Sequence, residues 1–395
     1  MTSVTADYDV VIAGAGLVGL ALARALAETG LTVALADRAD LATPESPASG
    51  GDWDARVYAI SPGSATFLQS LGVWQALPQN RIAPIESMRV EGDAGALLNF
   101  SAYELGERAL ASIVEERALR AALVPLVQSS GIAVHAPSSF ESLSFSRDAA
   151  VLHCADGRSL TTRLIVGADG LHSWLRQAAG IATVTKPYGQ TAVVANFECE
   201  RAHRGRAYQW FIEDGGVLAW LPLPGRRVSI VWSAPDALAQ ELLALSVEAL
   251  AARVAAAGRH VLGAFECITP SAGFPLQRVE LATVIAHRLA LVGDAAHGVH
   301  PLAGQGVNLG FGDVAALSGV LRERGTLADP GAPLLLGRYA RRRAEPVLAM
   351  QTVTDGLARL FGSTTPWIRT ARNFGMAALE RMPPAKRFLA QSALR

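Results

Sequence analysis

The chain has 395 residues, 50% hydrophobic and 18% charged, enough apolar side chain for one large core or two intergrown ones. Lys plus Arg and Asp plus Glu both number 35, so the net charge is zero and nothing global draws the protein to nucleic acid. Cys154, Cys199 and Cys267 stand far apart without a CxxC pair, which argues against a disulfide frame or a metal site and for reduced thiols in a cytoplasmic protein; with no basic-then-apolar leader and no run of about 18 apolar residues, neither export nor a membrane span is expected.

Tyr8–Ala13 is an apolar run closing on Gly14-Ala15-Gly16-Leu17-Val18-Gly19, after which Leu17, Leu20, Ala21, Ala25 and Leu26 recur at helical spacing up to Gly30. A second strand over Thr32–Ala36 ends in Asp37, twenty-one residues after Gly16. A GxGxxG alone is a weak signal, but between two strands and opening a helix it is a dinucleotide-binding βαβ unit. Gly14, Gly16 and Gly19 let the backbone approach a pyrophosphate at the helix start, and Asp37 accepts from ribose hydroxyls. Leu41–Asp52, rich in Pro, Ser, Ala and Gly, reads as a connection. Arg56 follows, and a helix is expected over Pro62–Leu71. Ile85–Ala102 alternates about Gly92-Asp93-Ala94-Gly95, predicting a hairpin that leaves the nucleotide fold.

The spacing of apolar residues at 119, 123, 124 and 127 predicts a helix that opens over Ser112–Arg117. Ile132–His135, Leu143–Ser146, Val151–Cys154 and Leu160–Val166 read as strands, the last two joined by Asp156-Gly157. They end at a second strand-Gly-Asp turn, Gly167-Ala168-Asp169-Gly170, with Arg176 beyond. From about Lys186 to Pro275 the alternation of TAVVANFEC, RAYQWFIED, GVLAWLPLP and RRVSIVWSA predicts an antiparallel sheet. Its aromatic residues Tyr208, Trp210, Trp220 and Trp232 fit either a core or the wall of a cleft. Val247–Ala257 reads as a helix, and Gly273-Phe274-Pro275-Leu276 brings the chain back.

The densest stretch is Leu291–Asp313, LVGDAAHGVHPLAGQGVNLGFGD. A buried strand delivers Asp294 at its carboxyl end, where open α/β sheets place ligands. A loop with His300-Pro301 and Gly304-Gln305-Gly306 then feeds a helix, whose unpaired amides and partial positive charge suit an anion or a ring that becomes anionic on reduction. His297 and His300 lack a third ligand, so no metal is assigned. Beyond Asp313 the chain reads as helical to its end.

This stretch resembles, position by position, the signature of the flavin-dependent aromatic hydroxylases of ubiquinone biosynthesis, a branch of the family typified by para-hydroxybenzoate hydroxylase. With Gly14–Gly19, Asp37 and Gly167–Asp169 in the same order, the resemblance spans essentially the whole chain. It implies an α/β fold: a Rossmann-like FAD-binding domain of the para-hydroxybenzoate hydroxylase type, an inserted antiparallel β-sheet substrate domain and a helical C-terminus. The expected division is 1–84, 103–182 and 276–364 for the cofactor, 85–102 and 183–275 for the substrate, and 365–395 for the tail. The resemblance also implies an NAD(P)H-dependent monooxygenase, in which reduced FAD adds O₂ at C4a and the hydroperoxide attacks a polyprenylated phenol. Gly14, Gly16, Gly19, Asp37, Arg56, Arg117, Asp169, Asp294, Gly304, Gly306 and Asn308 are then the expected cofactor contacts. Pro301, Gly304, Gln305 and Gly306 are the expected reaction loop, and Trp220, Phe274, Pro275 and His300 the substrate pocket. The family usually has asparagine where this chain has Glu116, so that carboxylate either points away from the cofactor or sets this member apart.

Two other readings use the same scaffold: an FAD-dependent reductase or dehydrogenase, and a non-catalytic flavoprotein subunit of a quinone-biosynthesis complex. A lipophilic phenol would stay in a bilayer, and the tail from Pro366 to Arg395 carries six basic residues against Glu380, interspersed with Trp367, Phe374 and Met382. That mixture predicts peripheral contact with the inner face of a membrane, and with other quinone-biosynthesis enzymes; docking of the last helices onto the domain explains it equally.

Overall fold

The computed structural model describes residues 6–42, 53–212, 216–298, 306–325, 328–362 and 366–394. The apolar strand Tyr8–Ala13 is the centre of the nucleotide-binding sheet because it is flanked on both sides in parallel. Val33–Ala36 lies along one side and Ser159–Gly167 along the other. Ala133–His135 extends the sheet past Val33–Ala36, and Leu289–Leu291 extends it past Ser159–Gly167. Strands buried on both faces read as continuous apolar runs, and Val10 to Ala13 are fully buried. The ends of Tyr8–Ala13, Ser159–Gly167 and Leu289–Leu291 are in register, with Ala13 opposite Gly167 and Gly167 opposite Leu291. All three Gly- or Asp-bearing turns therefore leave one edge of one sheet.

The helix Leu17–Leu26 is buried almost all round, since it is sandwiched against the helices Glu116–Gln128 and Gly306–Arg322. Such a helix needs no polar face. The hairpin expected around Gly92 is present as Ser87–Glu91 and Leu97–Ser101, and it joins the second sheet through a parallel pairing with Arg206–Ile212. Elsewhere that sheet is antiparallel, with the seventeen-residue strand Thr183–Cys199 paired to Arg227–Pro235, Phe265–Cys267 and Ala272–Leu281. Helices Asp236–Ala244 and Val247–Ala257 cover one of its faces.

One expected element differs. Ala111–Glu115 is a strand, and the helix starts only at Glu116. The strand pairs on one side with Val57–Ile60 and on the other with Ala83–Ile85, and β-branched Ile113 and Val114 suit it. The helix start is thereby set at the rim of the cleft between the two large sheets.

The expected connection over Leu41–Asp52 lies outside the described residues, apart from its first two positions. The tail forms helices Pro366–Glu380 and Pro383–Leu394. Arg372 pairs with Asp93, both nearly fully buried, and Met376 packs against Val90, Leu98 and Phe211. Lys386 reaches Glu104 at 3.6 Å and Glu380 at 3.5 Å, and Arg387 donates to the Glu104 carbonyl at 2.9 Å. Docking onto the Ser87–Ser101 hairpin and onto Glu104 just beyond it thus engages Arg372, Lys386 and Arg387. Phe374 and Met382 stay 75% and 56% exposed. Among the described residues no helix is long and apolar enough to cross a membrane.

Candidate functional site

The glycine turn is built by contacts of backbone on backbone. Gly14 has φ +111°, and a Cβ there would sit 2.3 Å from the Ala168 carbonyl oxygen; one on Gly19 would sit 1.8 Å from the Gly14 carbonyl oxygen. Both glycines are needed for the turn to close against Ala168 and Asp169. Gly16 is different: a Cβ there would meet nothing within 4 Å. It caps the Leu17–Leu26 helix without any side chain on its first amides, so the helix start faces open space. Asp37 accepts from the Ala15 amide at 2.5 Å and from the Ala39 amide at 2.7 Å. Arg120, which the sequence does not single out, donates to the Ala15 carbonyl at 2.7 Å. Ala15 is therefore gripped from both sides, and the turn is held in shape by an acid and a guanidinium from separate segments.

The second turn is closed on itself. Asp169 accepts from Ser173 Oγ at 2.6 Å and from the Leu175 amide at 3.0 Å. Arg176, 4% exposed, donates to the carbonyls of Ala295 at 2.9 Å and Leu171 at 2.8 Å. Both Asp169 oxygens are thus occupied in closing their own turn, and Arg176 fastens that turn to the neighbouring Gly293–Ala295 turn.

Asp294 sits at the carboxyl end of the strand, as its motif requires. Its side chain is solvent-accessible, yet surrounding protein still desolvates the carboxyl and raises it from the ordinary range, with His297 and Arg56 acting in the opposite direction. Behind it lies a buried ionic group. His297 Nε2 is 2.7 Å from Asp313 Oδ2, Arg343 Nε is 2.5 Å from Asp313 Oδ1, and the Gly293 amide donates to Asp313 at 2.8 Å. Burial opposes charging His297, but Asp313 outweighs it and raises the imidazole; the same partners hold the Asp313 carboxyl low against burial. His297 is thus spent on Asp313. Tyr339 completes the set by donating to the Leu291 carbonyl at 2.7 Å.

Val299 to Gln305 lie outside the described residues, and with them His300, Pro301, Gly304 and Gln305. Gly306 opens the helix Gly306–Arg322, and a Cβ on it would meet nothing within 4 Å. Asn308 uses both ends of its amide, accepting from the Ser61 amide at 3.0 Å and donating to the Ala59 carbonyl at 2.8 Å. It ties the start of this helix to the strand that follows Arg56.

Arg56 projects half exposed between the sheets. Its Nε is 2.8 Å from Glu116 Oε2, and its guanidinium lies 5.8 Å from the Tyr58 ring and 5.5 Å from the Phe274 ring. Burial works against its charge, but Tyr58, Glu116, Asp294 and Asp54 together raise it. Arg117 donates its amide to Asp54 at 3.0 Å. Phe274 and Pro275 are exposed on the strand Ala272–Leu281 and face Ala192 and Thr191 in register.

Trp220 does not belong with them. It is fully buried among Tyr208, Trp210 and Phe265 on the face covered by the two helices. Strand residues alternate between faces, so Trp220 shares its side with Leu218 and turns away from the strand face that carries Leu221 toward Ala59 and Ile113. It is a core residue and not a wall of the substrate pocket.

The uncapped start of the Leu17–Leu26 helix, the start of the Gly306–Arg322 helix, an accessible carboxylate at a strand end and Asp37 at the next strand end are donors and acceptors of the kind FAD needs. A family model described as an FAD binding domain matches residues 7–354. The ubiquinone hydroxylase UbiL of Rhodospirillum rubrum is 38% identical over 388 residues, covering 98% of this chain and 89% of the relative. The 3-demethoxyubiquinol 3-hydroxylase of Escherichia coli is 34% identical, covering 98% of each. Among solved structures, the p-nitrophenol 4-monooxygenase PnpA from Pseudomonas putida superposes with a TM-score of 0.76 at 17% identity, covering 98% of each chain. PqsL from Pseudomonas aeruginosa, described as a probable FAD-dependent monooxygenase, gives 0.76 at 24% identity, covering 93% of this chain and 99% of its own. The structural likenesses carry the fold.

Proposed function

This chain belongs to the FAD-binding family of flavoprotein hydroxylases and is an FAD-dependent monooxygenase, and from that premise we propose that it hydroxylates the ring of a polyprenylated phenol in ubiquinone biosynthesis, with NAD(P)H as reductant. The observation that carries the reading is the likeness to two named ubiquinone-pathway hydroxylases over nearly the full chain. When bound, FAD supplies the activation of O₂, and the protein's part is binding, orientation and exclusion of water.

The glycine turn Gly14–Gly19 and Asp37 would hold the adenosine and pyrophosphate end. Asp294 would hold the sugar-alcohol chain, Arg56 and Arg117 would line the flavin side of the cleft, and Asp169 would shape that side through its turn. The amides at the Gly306 helix start would face the edge of the ring that gains negative charge. Pro301, Gly304 and Gln305 would serve the reaction loop with Gly306, and His300 the substrate pocket alongside Phe274 and Pro275. Segments 1–84, 103–182 and 276–364 would serve the cofactor, and 85–102 with 183–275 the substrate.

Incubation of the flavin-loaded protein with NAD(P)H, a prenylated phenol and ¹⁸O₂ is expected to place one ¹⁸O in the ring per turnover. An oxidised or reduced product free of ¹⁸O would instead support the dehydrogenase reading, and absence of any phenol-stimulated NAD(P)H oxidation the non-catalytic one.

We further propose peripheral contact with anionic membrane through the tail, supported by exposed Phe374, Arg381 and Met382. Arg372 and Lys386 are engaged internally, so the informative variant is Arg381→Glu with Phe374→Ser. It is expected to lose co-sedimentation with phosphatidylserine vesicles at low salt while keeping its flavin; wild-type protein that does not sediment at all would refute the contact.

A further inference from the structure

Glu116 is the residue by which this chain departs from the expected pattern, and its surroundings give it a use. It is the first residue of its helix, locked to Arg56 twice: its amide donates to the Arg56 carbonyl at 3.0 Å, and its Oε2 meets Arg56 Nε at 2.8 Å. Tyr58 OH donates to the same oxygen at 3.5 Å. The other oxygen, Oε1, accepts nothing from a described residue, and the side chain is 28% exposed. The exposed ring of Phe274, reaching in from the second sheet, lies 5.5 Å from the Arg56 guanidinium. A cation, a flat apolar wall and a carboxylate oxygen without a partner therefore meet in the cleft between the cofactor-binding sheet and the second sheet.

The other acids nearby are occupied. Asp54 accepts from the Arg56 and Arg117 amides. Glu115 is held by Arg81 through two bonds of 2.8 Å and by the Asp54 amide. Asp294 belongs to the cofactor in the reading above.

We infer that Glu116 takes the proton from the phenolic hydroxyl of the substrate, with Arg56 facing the oxygen that becomes anionic. The inference rests on the hydroxylase reading. The O–H bond of the phenol breaks, its electron pair stays on the oxygen and is delocalised into the ring, and the proton forms a new O–H bond at Glu116 Oε1. From there it leaves to solvent through the exposed side of the residue. No electron is exchanged in this step. Its purpose is to make the ring carbons electron-rich before an electrophilic oxygen arrives, which a neutral phenol does less well.

The groups facing Glu116 are Arg56, Tyr58 and Asp54 from the strand Val57–Ile60 and its approach, and Arg120 one turn along its own helix; Asp294 lies across the cleft, where it acts on both Arg56 and Tyr58. Burial raises the Glu116 carboxyl and Asp54 adds to that, while Arg56, Arg120 and Tyr58 pull it down; the net is upward. A base is active above its pKa, so turnover should fall as pH drops through that raised value.

The test compares wild type, Glu116→Gln and Glu116→Asp, each loaded with FAD. Hydroxylated product per NAD(P)H consumed should fall by about 100-fold in Glu116→Gln, the lower end for loss of a general base. The acid limb of the pH profile should vanish, activity should recover at alkaline pH where the phenol ionises unaided, and Glu116→Asp should restore part of the limb. Independently of turnover, 4-nitrophenol bound to wild type should show its coloured phenolate at a lower pH than in free solution, and Glu116→Gln should abolish that shift. Superimposable pH profiles and nitrophenol titrations in wild type and Glu116→Gln would overturn the assignment while leaving the hydroxylase reading intact. A wild-type protein that puts ¹⁸O into no phenol would overturn both.

Discussion

Gly19→Ala is expected to yield protein that binds no FAD, although alanine is ordinarily the better helix former by about 1 kcal/mol. The added Cβ would lie 1.8 Å from the carbonyl oxygen of Gly14 and 3.2 Å from the Ala168 Cβ. The first obstacle is backbone, which cannot rotate aside like a side chain. Overpacking in a core costs roughly 1–3 kcal/mol, and a backbone collision inside the phosphate turn should exceed that range. The turn must open, and with it the seat of the Ala15 amide on Asp37. Visible flavin absorbance per protein should drop at least tenfold, and the thermal midpoint should fall. Gly16→Ala is the control, because its Cβ meets nothing within 4 Å. That variant should fold like wild type and lose only cofactor affinity, since the methyl enters the space left for phosphate. If Gly19→Ala retains full flavin at an unchanged midpoint, the tight approach of helix to strand is dispensable.

The second large effect is expected at Asp313. It is fully buried and binds His297, Arg343 and the Gly293 amide together. Asp313→Asn nearly preserves the volume but leaves the Arg343 guanidinium without its counter-charge. Breaking one side of a buried ion pair costs about 3–5 kcal/mol, so the thermal midpoint should fall by roughly 5–10 °C. The pH dependence should change too. Asp313 has a lowered pKa, so its contribution is fully present above the unfolded value of about 3.9 and is lost as pH falls through the folded one. His297 has a raised pKa, so its contribution is fully present below about 6.5 and is lost as pH rises through the folded value. Wild-type stability from this group is therefore greatest between those limits, and Asp313→Asn should flatten the profile there. An Asp313→Asn protein as stable as wild type, with the same profile, would show that the network is not what fixes the Gly293–Ala295 turn.

The fold was largely readable where the signal is local. Gly14–Gly19 between two apolar runs specifies strand, turn and helix, because each glycine and each apolar position answers to a neighbour within a few residues. Glu115-Glu116 misled because two acids before an apolar periodicity look like the first turn of a helix, whereas Ala111–Glu115 becomes a strand through partners around residues 57–60 and 83–85. Trp220 misled for another reason. Alternation says which side chains share a face, but which face is roofed by helices is decided by the chain after residue 235. Asp294 was legible at a strand end; Arg120, which grips Ala15 from 105 residues away, and Arg343, thirty residues from Asp313, carry no local mark.

The docked tail has a consequence for how the molecule comes into being. Leu97–Ser101 is the outermost strand of the second sheet, and the tail closes it, with Glu380 taking the Asn99 amide at 3.1 Å and Arg372 pairing with Asp93 across 279 positions of sequence. An edge strand with unpaired amides is a template for pairing with other chains. During synthesis from the N-terminus, at about 5–20 residues per second, this edge stands open for on the order of tens of seconds before its cover is made. The residues that seal it follow 279 positions later, so a nascent chain stays open to association with its neighbours for as long as that intervening length takes to make.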